Sequence, residues 1–96
     1  MAIRKHSEPE NVFAQLGFNG DEALNLRLRS EMMNALIAEI ERKGLTQAQA
    51  AARLGVSQPR ISNLMRGKLH LFSIDMLVGL LSSAGLRVEM KVRKAA

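Results

Sequence analysis

Twenty residues, Gln47 to Arg66, constrain the fold more than any other part of the chain. They read QAQAAARLGVSQPRISNLMR. Each half has helical signals. Thr46 can cap a helix over QAQAAARL, with Gln49 at the reciprocal capping position. Ser57 can cap a second over QPRISNLMR, which Gly67 ends. Pro59 falls in the first turn of that second helix, where backbone N–H groups lack intrahelical partners anyway, so it fixes the helix start. Two helices this short must pack against each other closely. Ala51 is small where they cross, and Gly55 permits a tight turn. Leu54, Val56, Ile61 and Leu64 are apolar where such a corner needs an inner face.

The separation of the two helices around Gly55 is helix-turn-helix spacing. On either side the chain continues in helical register. Asn19 with Glu22 (NGDE) predicts a helix start, and a long helix runs to about Lys43. Leu24, Leu28, Met32, Leu36 and Ile40 recur every four residues, and Ala35 and Ile37 widen the stripe. Gly44 is placed to end it. After the loop KLHLF, Ser73 caps a further helix through Ala84, with Leu77, Leu80, Leu81 and Ala84 as its buried face. Residues 86–93 (LRVEMKVR) alternate strictly, which predicts a half-buried strand. Leu86, Val88, Met90 and Val92 form its apolar side.

A lone strand leaves backbone hydrogen bonds unmet. It pairs either with its own copy across a two-fold axis or with the N-terminal arm near Ile3, and the two-fold ribbon satisfies both the backbone and the apolar stripe. The division is therefore an arm over 1–18, a helical domain over 19–85 and a dimerising strand over 86–96. The fold class is all-α, four to five helices with one C-terminal β-strand. Residues 12–18 (VFAQLGF) form an apolar island in the arm, expected to dock on the body.

Composition narrows the function. Fourteen Lys and Arg against nine Asp and Glu give a net charge of +5, which favours polyanionic partners. Three Phe are the only aromatics, too few for stacking readers of single strands. No cysteine is present, so thiolate chemistry is excluded, and His6 and His70 have no partner at metal-ligand spacing. No nucleophile elbow or phosphate-binding glycine loop occurs. No metal, cofactor or enzymatic activity is expected, and neither is a membrane span or a secretory leader. The expected setting is the cytoplasm.

The stretch 47–66 resembles the helix-turn-helix of the lambda-repressor/Cro (Xre) family, and the likeness extends over residues 24–84. VFAQLGF, RGKLHLFSIDML and LRVEMKVR resemble, more narrowly, small antitoxins of the HigA type. The resemblance implies a lambda-repressor-like bundle and a dimeric autorepressor of a palindromic operator in double-stranded DNA. In the narrower likeness, the protein also neutralises a RelE-like ribonuclease toxin. A stand-alone phage-like repressor is the alternative, and an RNA- or protein-binding corner is a third. With Ile61, Leu64 and Met65 turned inward, Ser57, Gln58, Arg60 and Asn63 are expected to face the major groove. The family pattern makes Gln47 a phosphate clamp and Gln58 and Asn63 base readers, with Pro59 against a thymine methyl. Arg66 and Lys68, with Arg53, are candidate phosphate contacts.

Overall fold

A computed structural model describes residue 17 and residues 19–95. The expected N-terminal arm and its apolar island lie, Gly17 apart, outside the described residues. Among the described residues four α-helices follow in order: α1 (Gly20–Arg42), α2 (Gln47–Leu54), α3 (Gln58–Met65) and α4 (Ile74–Ser83). A single 3₁₀ turn, Leu69–Leu71, joins α3 to α4.

The caps set these boundaries. Asn19 Oδ1 accepts from the Glu22 N–H at 2.8 Å, and Glu22 Oε1 accepts from the Asn19 N–H at 3.2 Å. Thr46 and Gln49 make the same reciprocal pair at the start of α2, at 3.1 and 2.9 Å. Ser57 and Ser73 each accept one backbone N–H at the starts of α3 and α4. Each such cap contributes about 1 kcal/mol by satisfying an orphan donor. Gly55 takes φ +71° between α2 and α3, a left-handed conformation in which a Cβ would be strained.

One apolar core joins all four helices. Met33, Leu36 and Ile40 enter it from α1, and Ala50, Ala51 and Leu54 from α2. Ile61 and Leu64 come from α3, Phe72 from the connecting loop, and Leu77, Leu80 and Leu81 from α4. Leu36, Ile61, Leu64 and Leu77 have no exposed surface. Burial of each such side chain stabilises by about 1.5–3 kcal/mol. Arg29 ties α1 to the loop after α3: its Nη1 donates to the Leu69 carbonyl at 2.9 Å and the Phe72 carbonyl at 3.2 Å.

One expectation needs correction. The i, i+4 series on α1 does not stay on one face. At about 100° per residue, Leu24 lies about 180° and Leu28 about 140° from Met33, whereas Leu36 and Ile40 lie within about 60° of it. Leu24 is accordingly 41 % exposed and Leu28 37 %, and Ala35 is exposed too. Residues 86–95, expected to form a strand, belong to no helix and to no strand ladder within the single chain. Leu86 still packs against the core, and its N–H donates to the Leu81 carbonyl at 2.9 Å. Beyond it Met90 and Val92 are each 83 % exposed. A ladder needs a second strand, and the described residues contain none.

Candidate nucleic-acid interface

The amphipathic pattern of α3 fixes what it presents. Ile61 and Leu64 point into the core. At about 100° per residue, Pro59 lies within about 10° of the opposite direction. Ser62 and Asn63 lie about 50° to either side of that direction, and Gln58 about 90° round on the side of Ser62. Arg60 falls about 110° off on the other side.

The packing follows this wheel. Gln47, Gln58, Pro59, Ser62, Asn63 and Arg66 line one shallow recess of about 510 Å³. It spans the start of α2 and the outer face of α3. Five of the eight residues expected to bind DNA are thus brought together, joined by Ser62, which the sequence pattern had not singled out. Among the described residues no carboxylate lines the recess, and Arg66 supplies the one formal charge they bring to it. The Arg66 Nη2 donates to Asn63 Oδ1 at 3.4 Å, holding the amide at the helix end. The side-chain amides of Gln47 and Gln58 and the Ser62 hydroxyl make no hydrogen bond among the described residues. All three keep their donors and acceptors for an outside partner.

The other three expected residues stand apart. The Ser57 hydroxyl is engaged as the α3 cap, accepting the Arg60 N–H at 3.2 Å. Lys68 is half-buried beside the 3₁₀ turn, and its N–H donates to the Asn63 carbonyl. Arg60 does not face outward with Asn63. It is half-buried and turned toward α4, with its guanidinium carbon 5.7 Å from the centre of the Phe72 ring and Nη1 3.8 Å from the Met76 sulfur. Ser57 and Arg60 line a separate cleft of about 480 Å³ with apolar residues of α2 and α4 and with Asp75. Arg53 lies beside a third cleft with Glu39 and Lys43, away from the outer face of α3.

Outside this region, Glu39 has its carboxyl held below the usual carboxylate range. Hydrogen bonding from Arg42 is the main cause, and Lys43 adds to it. No group of three or more potential metal ligands occurs among the described residues. None of the described helices is long and apolar enough to cross a membrane.

Comparison with known proteins agrees with this geometry. The family model of a helix-turn-helix domain matches residues 12–93. A solved structure assigned as an XRE-family transcriptional regulator is similar to this chain. It shares 40 % identity over 77 % of this chain and 83 % of its own, with a TM-score of 0.72. No curated protein matches the chain.

Proposed function

Given that the chain belongs to the Xre-type helix-turn-helix family, we propose that it is a sequence-specific DNA-binding transcriptional regulator that seats α3 in the major groove. The observation that carries this reading is the recess on the outer face of α3. Among the described residues no carboxylate lines it, and the Gln47 and Gln58 amides and the Ser62 hydroxyl that do have no hydrogen-bond partners there. An α-helix fits the major groove. Gln58 and Asn63 present planar amides suited to bidentate pairing with adenine, and Pro59 offers an apolar contact for a thymine methyl. Gln47, Arg66 and Lys68 contact phosphates, and Ser57 meets the groove at the helix start. The net charge of +5 supplies the salt-dependent attraction common to all sequences.

The regulator acts as a dimer on a palindromic operator, its two α3 helices about 34 Å apart. Residues 86–95 form the seam, pairing antiparallel with a second copy. Two features support this. Val88, Met90 and Val92 are 45 %, 83 % and 83 % exposed in the single chain. Arg87 Nη1 lies 4.0 Å from Glu89 Oε2, and side chains two apart share a face in an extended chain. The operator lies upstream of the regulator's own gene. A finer reading, antitoxin to a RelE-like ribonuclease, rests on the likeness of residues 12–18, 66–77 and 86–93 to HigA-type antitoxins. A stand-alone repressor shares every residue of the DNA site.

Titration of the purified protein against the duplex upstream of its own gene tests the reading. A Kd at least tenfold tighter than for a shuffled duplex at the same salt supports it, and equal affinity for both sinks it. Co-purification from native lysate with a small basic ribonuclease supports the antitoxin reading; recovery of the operator alone supports the stand-alone repressor.

A further inference from the structure

Resting on the DNA-binding reading, we propose that Ser62 is a specificity-determining residue of α3, and that Arg60 is a positioning residue that seats α3 against α4 rather than a reader of bases. Both assignments come from where the wheel and the packing place the two side chains.

Ser62 shares the recess with Gln58, one helical turn before it, and with Gln47 at the head of α2. Ser62 is half-buried, and its hydroxyl has no hydrogen-bond partner among the described residues. A serine inside a helix commonly returns its hydroxyl to a backbone carbonyl one turn back, and this one does not. Such a hydroxyl can donate and accept, so it suits either kind of base edge in the major groove. A short side chain reads a base only where the backbone comes close. The compact ring of Pro59, at the centre of the outer face, leaves no long side chain there to hold the helix away.

Arg60 has the opposite environment. A guanidinium offers five donors, and the bond it makes here is the weak one to the Met76 sulfur. Its guanidinium carbon lies over the ring of Phe72, which is 1 % exposed and belongs to the core. Arg60 thus links the first turn of α3 to the loop before α4 and to α4 itself. To read a base it would have to leave both partners and swing around the helix toward Asn63.

Selection from a randomised duplex pool, followed by sequencing, separates these roles. The proteins are the parent, Ser62→Ala, Arg60→Met and Met76→Ala, all held well below their melting temperatures. Alanine is the better helix former at position 62, so that variant folds. Ser62→Ala should lose base preference at one position in each half-site. Its affinity for the parent's preferred duplex should fall roughly three- to tenfold, with affinity for unrelated DNA unchanged. Arg60→Met and Met76→Ala should keep the parent's base preferences and weaken all duplexes by a common factor. Their salt dependence should match the parent, whereas a lost phosphate contact lowers the log–log slope by about 0.9. An unaltered preference profile in Ser62→Ala overturns the proposal. So does a lost base preference or a lowered salt slope in Arg60→Met. A parent that selects no motif overturns the DNA-binding reading itself, and this assignment with it.

Discussion

Replacing Arg29 with methionine should cost about 2 kcal/mol of folding stability, although Arg29 lies outside the proposed DNA site. Its Nη1 spans 40 and 43 residues of sequence to reach the Leu69 and Phe72 carbonyls. Each hydrogen bond from a charged donor contributes about 1.5–3 kcal/mol. Arg29 is only half-buried, so the freed carbonyls recover part of that from water, and methionine keeps the packing of the aliphatic stem. These offsets bring the net loss to about 2 kcal/mol rather than twice that. For a domain this small, about 4–8 °C of Tm accompanies each kcal/mol, so the variant should melt about 8–16 °C lower. Urea unfolding followed by circular dichroism measures the change directly, with an unchanged slope against denaturant confirming that only stability moved. Asn25→Ala is the control. It removes the exposed bond from Arg29 Nε at 2.7 Å and should change stability by less than about 0.5 kcal/mol. An Arg29→Met protein that melts within about 2 °C of the parent would show that the α1–loop tie adds nothing, and the reasoning would fail.

Three other outcomes follow from the same geometry. Thr46→Ala removes the α2 cap and should cost about 1 kcal/mol in the same urea assay, whereas Thr46→Ser should be nearly neutral. Glu39 has a lowered folded pKa, so its stabilising effect is present above the ordinary carboxylate value of 4.5 and is lost as pH falls through the lowered one. Glu39→Gln should therefore flatten the stability profile in that acid window and leave its neutral-pH shape unchanged, as read from melting temperature against pH. Truncation after Leu86 keeps the residue that packs on the core and removes the proposed seam, so the protein should sediment as a folded monomer; a persisting dimer would place the seam elsewhere.

The helical elements were legible in the sequence because their signals are local. Asn19 with Glu22 and Thr46 with Gln49 announce helix starts within four residues, and the helices begin where those pairs stand. The inner face of the corner was equally plain, since Leu54, Ile61 and Leu64 are buried as the steric demands of two crossing short helices require. The inner face of the long helix was less legible. A four-residue repeat drifts about 40° per step, so Leu24 and Ile40 could not share a face, and the run of apolar letters concealed that rotation. The direction of Arg60 was not legible for a different reason. The type of residue suggested a groove contact for arginine, but the wheel of α3 and a ring 12 residues further on decided its direction. The helical wheel alone places Ser62 on the outer face of α3. No local pattern marks Arg29 as the tie to residues 69 and 72, because that link exists only once the chain has folded. The alternation over 86–93 identifies a segment able to form a strand, yet a ladder depends on a second strand.

The outer face of α3 as the DNA-binding surface is tested most directly by titrating the isotope-labelled protein with the duplex upstream of its gene, following backbone amide resonances. Shifts confined to Gln47 and residues 57–68, complete at two chains per duplex, are the predicted result. Shifts centred on the exposed Leu24 and Leu28 face of α1, with α3 undisturbed, would contradict it.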